Sequence, residues 1–258
     1  MADVARAAGV SQQTVSRVAN GLPNVNEQTR QRVQAAMQEL GFRPSYAGRS
    51  LRDGRYHSVG LCINDVTKFG NLSMIDGIAS AAREHNCAIT LVEMSKTEEF
   101  SLAEATRRMA ALPVDGIIIG MSRMAPDFEM FDPLPGIGTV IVTMYAHPRV
   151  TTVDSDHYGC SLLLMDHLFE LGHGQIRYIG GPSFSVDEQF RRAGWQDALE
   201  RKHIEPAEPL EGDWSANSGY EAGRYLAEHD RTMTAIYAAN DQMANGAIAA
   251  LRDSGLRV

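Results

Sequence analysis

Two rhythms of apolar residues divide the chain. Over the first forty residues they recur at helical spacing, and from residue 58 short apolar runs alternate with longer helical stretches. The first region predicts three short helices, over 2–8, 12–20 and 27–40. The first sets Val4, Ala5 and Ala8 on one side, ends at Gly9, and lets Val10 fill the turn. Ser11 is suited to cap the second, Gly21 to terminate it, and Asn26 to cap the third. In that third helix Val33, Ala36, Met37 and Leu40 share one side, and Gly41 stops it. Helix, short turn with a glycine, helix is the helix-turn-helix pattern.

The second region predicts strands over 59–63, 88–93, 116–120, 140–143, 175–180 and 234–238. It predicts helices over 72–85, 102–112, 159–171, 189–202, 218–228 and 242–254. Strand-helix alternation implies parallel sheets with helices on both faces. The repeat restarts near residue 150, so two lobes are expected. The predicted organisation is a headpiece over 1–44, a hinge and linker over 45–57, and lobes over 58–148 and 149–258. The fold class is an all-α helix-turn-helix headpiece plus an α/β body of two doubly wound parallel-sheet lobes. Ligands in such bodies bind at the carboxyl ends of the strands, here between the lobes.

Composition changes the picture in one respect. The chain has 258 residues, 44% hydrophobic and 22% charged, which is ordinary for a soluble globular protein. No run approaches the roughly 18 apolar residues of a membrane span, and the start lacks a signal-peptide core, so a cytoplasmic protein with no membrane partner is expected. Cys62, Cys87 and Cys160 fit no metal-ligand spacing and read as buried thiols. The net charge of −8 argues against a polyanionic partner, but its distribution reverses that. Residues 1–58 hold eight arginines and four acids, a net +4, whereas the remainder holds 16 basic and 28 acidic residues, a net −12. Screening beyond about 8 Å lets a basic module bind phosphates despite an acidic body. No nucleophile-base-acid set, P-loop or dinucleotide fingerprint is present, and Gly136-Ile137-Gly138 is too short to count, so neither an enzyme nor a cofactor is expected.

The second helix carries the chemistry. One side holds Gln12, Gln13, Ser16, Arg17 and Asn20, and the other Val15, Val18 and Ala19. Glutamine can pair bidentately with adenine and arginine with guanine, while Ser11, Thr14 and Ser16 are short donors suited to phosphates. The bland alternative is a solvated face on a small bundle, which the positive balance of the region disfavours.

At DVARAAGVSQQTVSRVANG and VNEQTRQRVQAAMQELGFRP the sequence resembles the LacI/GalR-type bacterial transcriptional regulators, whose body is periplasmic-binding-protein-like. The resemblance implies that Gln12, Gln13 and Arg17 read bases in the major groove, and that Ser11, Thr14, Ser16 and Asn20 hold the DNA backbone. It also implies a hinge helix formed on the operator, with Leu51 as the apolar wedge between base steps. The alternative for Leu51 is a linker residue packed on the body. Gly48 stands where alanine is usual and costs a helix about 1 kcal/mol, so a hinge that folds only on DNA is expected.

The resemblance extends over the body through SxSVxxxxRxAGW (183–195), EGDWSAxSG (211–219) and ANDQMAxGA (239–247), which are patterns of the lactose-repressor branch. It implies that Arg191 and Asn240 hydrogen-bond an effector's hydroxyls and that Trp214 packs on an apolar ring face. Asn64 on the first-lobe wall joins them, and Asp241 is either a ligand contact or a helix cap. Arg191 could instead be a surface charge and Trp214 simple core. A sugar suits a planar arginine fork and an aromatic face. Two departures stand out. Thr143 occupies the place of an acidic ligand residue, for which Tyr145 or Asp154 could substitute, and the wall over 64–74 is different. The implied partners are a pseudo-palindromic double-stranded operator, a sugar-like effector and a second copy of the chain. A sugar-binding protein serving transport is the alternative. The chain is expected to be truncated at its carboxyl end, leaving the second lobe incomplete.

Overall fold

The computed structural model of the chain describes residues 1–42, 54–94 and 101–258. They form two compact units, Met1–His57 and Ser58–Val258. Pro44, Gly48 and Leu51, on which the hinge reading turns, lie outside the described residues.

The first unit holds α1 (Ala2–Ala8), α2 (Gln12–Ala19) and α3 (Glu27–Glu39), as the periodicity predicts. Each ends the same way. Gly9, Gly21 and Gly41 take φ of 61°, 63° and 59°, where a side chain would be strained. The following residue then donates back into the last turn: Val10 to the Ala5 carbonyl at 3.0 Å, Leu22 to Arg17 at 3.0 Å, and Phe42 to Met37 at 2.8 Å. Val4, Ala5, Ala8, Val15, Val18, Val33 and Ala36 make the core. Leu40, expected on that face, is 49% exposed, and Phe42 packs against the core in its place.

The body begins with β1 (Ser58–Ile63), α4 (Phe69–Glu84), β2 (Ala88–Glu93), α5 (Leu102–Ala110), β3 (Gly116–Gly120), β4 (Gly138–Val142) and β5 (Thr151–Val153). These strands form one sheet in the order β2-β1-β3-β4-β5, every pair parallel. Leu61 sits between Leu91 and Ile118 in register. The second sheet is smaller. It follows from α6 (His157–Glu170), β6 (Ile176–Gly180), α7 (Val186–Arg201), β7 (Leu210–Glu211), α8 (Ala216–His229), β8 (Ala235–Ala238) and α9 (Asp241–Asp253), with parallel order β7-β6-β8. Two of these strands, β5 and β7, are additions to the sequence reading. Because Thr151 pairs with Val140, the first sheet runs past the boundary expected at 148.

Each lobe has its own apolar core, the first around Met109, Ile117, Ile119 and Ile141, the second around Met165, Tyr178, Trp195 and Met243. In the second lobe α8 and α9 cross at glycines. A Cβ on Gly246 would run into the Ala216 carbonyl oxygen, and one on Gly223 would lie 2.7 Å from the Ala247 Cα. That close crossing fixes the two helix starts, and both starts open onto the cleft described next.

Candidate nucleic-acid interface and ligand cleft

In the headpiece, α2 buries Val15 and Val18 and leaves Gln12, Gln13 and Arg17 exposed. The hydrophobic spacing alone fixes this. With two valines three residues apart turned inward, the residues half a turn away must face out. Ser11 caps the helix: its Oγ accepts from the Thr14 N–H at 3.1 Å and lies 3.0 Å from the Thr14 hydroxyl. Asn20 turns back on its own helix, its Nδ2 donating to the Ser16 carbonyl at 2.6 Å. Arg6 pairs with Asp3 and Arg30 with Glu27. Arg17 forms no ion pair among the described residues, which leaves its fork available.

In the body, Asn64, Arg191, Trp214, Asn240 and Asp241 line one cavity of about 880 Å³. They are far apart in sequence, and topology brings them together. The lining comes from the segments that follow β1, β3, β6, β7 and β8, so it lies at the carboxyl ends of strands from both sheets. In each sheet the chain reverses direction about one strand, β1 in the first and β6 in the second, the position where such folds open a crevice.

Trp214 is the strained member. Its φ is 73°, a left-handed backbone that costs a bulky residue about 1–3 kcal/mol. Three bonds hold it there. Asn240 Nδ2 donates to the Trp214 carbonyl at 2.9 Å, the Ser215 N–H donates to Asp213 Oδ1 at 2.9 Å, and the Asp213 N–H donates to Ser218 Oγ at 3.1 Å. Hydrogen bonds from Ser215 and Ser218 hold the Asp213 carboxyl down to about 2. The indole lies directly on Gly181, where a Cβ would overlap the ring. Beneath it, buried Glu188 accepts from the Gly181 N–H at 2.7 Å and the Tyr178 hydroxyl at 2.9 Å, and Arg192 Nε donates to it at 3.3 Å.

Arg191 faces the tryptophan, its Cζ 5.4 Å from the ring centroid. Its Nη2 donates to His157 Nδ1 at 3.2 Å. An arginine only donates, so Nε2 carries the imidazole proton, and it lies 3.6 Å from both Asp154 and Asp187. Burial raises the Asp187 carboxyl, against the pull of His157 and Arg191. Asp154, His157 and Asp187 are close enough to ligate a cation, but Arg191 on the imidazole opposes one there. Asn64 and Gln242 also line the cavity, and their Oδ1 and Oε1 are buried acceptors with no hydrogen-bond partner among the described residues, each at a cost of about 1–3 kcal/mol.

Several expectations change. Asn240, not Asp241, caps α9, its Oδ1 accepting from the Met243 N–H at 2.8 Å. Asp241 is the first helical residue and exposed. Thr143 is buried and accepts from the Tyr145 N–H at 3.4 Å. The Tyr145 hydroxyl donates to Gln189, and Asp154 lies beside His157, so none of the three supplies the cavity's acid. The carboxylates that line the cavity are those of Asp65, Asp187, Glu211, Asp213 and Asp241; of these Asp187 precedes Arg191 by four residues, on one helix face. The cavity also takes in Lys68, Phe69, Met124 and Phe184, with Arg123 Cζ 4.0 Å over the Phe184 ring.

Residues 1–45 match the family described as "Bacterial regulatory proteins, lacI family". Residues 57–258 match "Periplasmic binding proteins and sugar binding domain of LacI family". The chain is 32% identical to the lactose operon repressor of Escherichia coli over 99% of its own length and 71% of that protein's. It is 30% identical to catabolite control protein A of Priestia megaterium, over 99% of the chain and 78% of that protein. Among solved structures, the Lac repressor bound to ONPG in the repressed state superimposes with a TM-score of 0.87 at 32% identity, covering 99% of this chain and 78% of that one. The Lac repressor dimer bound to operator and the anti-inducer ONPF gives 0.83 at 30% identity, with the same coverage.

Proposed function

The chain belongs to the lacI family of bacterial regulatory proteins, and from that premise we propose that it is a sequence-specific transcriptional repressor controlled by a small sugar-like effector. In this reading Gln12, Gln13 and Arg17 read base edges in the major groove of a pseudo-palindromic operator. Ser11, Thr14, Ser16 and Asn20 hold phosphates, and Leu51 wedges the minor groove. The protein acts in the cytoplasm as a homodimer, since a palindromic site needs two recognition helices. Pairing is supported by α4, none of whose sixteen residues is fully buried although it carries Leu72, Ile75 and Ile78. No helix among the described residues is long and apolar enough to cross a membrane.

The observation that carries the effector half is convergence. Residues 64, 191, 214, 240 and 241, chosen without a structure, line one cavity. Its second-lobe wall offers an arginine fork, a carboxylate and an indole face, which together suit the vicinal hydroxyls and C–H face of a pyranose. Effector and operator affinities are then reciprocally coupled. The test is selection of operator sequences by the purified full chain, repeated across a panel of monosaccharides and disaccharides. A specific site whose occupancy changes with one sugar is expected. No specific site, or a site indifferent to every sugar, defeats the corresponding half of the proposal. Tight sugar binding without any operator would instead support a transport role.

A further inference from the structure

Lys68 sits at the start of α4 in the first lobe, immediately before the helix, and makes no side-chain cap to it. Its ammonium reaches across the cleft instead and donates to the Asp213 carbonyl at 3.1 Å, a contact between residues 145 apart in sequence. That carbonyl belongs to the peptide unit that leads into Trp214, the residue held at a φ of 73°. The next carbonyl, that of Trp214, is held by Asn240. Successive peptide units of one strained loop are therefore gripped from opposite sides of the cavity. Asn240, Ser215 and Ser218 hold the loop from within its own lobe, and Lys68 from the other.

We infer that Lys68 is a closure latch and positioning residue for Trp214. Its bond couples the approach of the two lobes to the posture of the indole against which an effector packs. The inference deepens the effector reading of the cleft and rests on it. The chemistry suits a latch. A lysine is a flexible, strongly hydrated point charge, and its single bond to a carbonyl is easily exchanged for water. The lobes also meet where the Val186 N–H donates to the Ser122 carbonyl at 3.1 Å, where the Tyr145 hydroxyl donates to Gln189 and where Arg123 lies over Phe184, but none of these contacts is made to the loop that carries Trp214. Lys68 is also exposed, so its replacement leaves the cores intact.

The test needs neither sugar nor DNA, so it can fail independently of the effector reading. The full chain has two tryptophans. Trp195 is fully buried, which leaves Trp214 as the quenchable one, and Trp214→Phe verifies that assignment. Acrylamide quenching and emission maximum are compared for the wild type, Lys68→Met and Lys68→Arg. Lys68→Met is expected to raise the quenching constant of the accessible component about twofold and shift its emission to the red, as the open population grows. Lys68→Arg, which can still reach the carbonyl, is expected to stay near the wild type. Should the methionine variant lose its cooperative melt, Lys68→Gln is read in its place. Quenching equal to wild type in the neutral variants, or equally increased with arginine, overturns the latch.

Discussion

Replacing Gly246 by alanine isolates the α8–α9 crossing. The change adds one methyl group to the middle of a helix, which by propensity alone stabilises by about 1 kcal/mol. Here the new Cβ would overlap the Ala216 carbonyl oxygen and lie 2.7 Å from the Tyr220 amide nitrogen. Both neighbours are backbone, so no side chain can swing aside and the helices must part. Overpacking costs about 1–3 kcal/mol where side chains can adjust. Where they cannot, the upper end applies, and a net loss of about 2 kcal/mol remains after the propensity gain. Gly77 in α4 is the control, since a Cβ there meets nothing within 4 Å, so Gly77→Ala should stabilise by up to about 1 kcal/mol. Gly223→Ala, whose Cβ meets the Ala247 backbone at 2.7 Å, should fall near Gly246. Urea unfolding followed by far-UV circular dichroism measures all three, with the body transition analysed separately from the headpiece. Because α8 starts just after Trp214 and α9 just after Asn240, Gly246→Ala should also loosen the bond between those residues and blunt any effector response. If Gly246→Ala and Gly77→Ala shift the body transition equally, the close crossing does not govern stability and the reasoning is refuted.

Three further outcomes follow. Arg17→Ala should cost about 1–3 kcal/mol in specific operator binding and relax one base position, measured by competition at fixed salt; a uniform loss across sequences would mark Arg17 as a phosphate contact. Glu188→Ala strips the acceptor from Gly181, Tyr178 and Arg192 and should destabilise the body by about 3–5 kcal/mol, with Glu188→Gln costing less; denaturant midpoints decide, and a neutral alanine variant would contradict the buried network. Hydrogen bonding from Thr232, aided by Arg177, holds the Asp230 carboxyl down to about 2, as Ser215 and Ser218 hold that of Asp213. A depressed carboxylate contributes stability that is complete above its ordinary value of about 4 and is lost as pH falls through about 2. The acid limb of the stability profile should therefore lie in that window and flatten in Asp230→Asn; an unchanged limb argues against the pairing.

The elements legible in the sequence are those that declare themselves locally. The headpiece helices carry a one-sided apolar pattern and a terminal glycine, α2 and α3 carry a capping side chain as well, and all three helices follow the spacing. The central strands β1 and β3 are largely buried on both faces and read as apolar runs, as β6 does apart from Arg177. The strands missed are edge strands. In β5 Thr151 and Val153 are exposed, and β7 has only two residues, so neither carries an apolar pattern to find. Of the two readings open for Asp241, the cap falls to its neighbour Asn240; both are good capping residues, and composition does not choose between them. What chooses is the Trp214 carbonyl, which Asn240 holds at the same time.

The carboxylates of the cavity show a different limit. The resemblance implies an acidic ligand residue at the end of a first-lobe strand, where Thr143 stands. Thr143 is buried and bonded to its own loop, while the carboxylates that line the cavity include Asp187, in the first turn of α7 and one turn before Arg191. Burial raises that carboxyl, and His157, Arg191 and its own backbone amide pull it the other way. A guanidinium and a carboxylate thus share one helix face of the cavity wall, beside the indole of the same lobe. The first lobe contributes Asn64, the Asp65 carboxylate, the cations of Lys68 and Arg123, and the apolar surface of Phe69 and Met124. Such a division lets one lobe hold a polar ligand while the other responds to it. It follows from which strand ends meet, a property of the two sheets together that no local stretch of sequence displays.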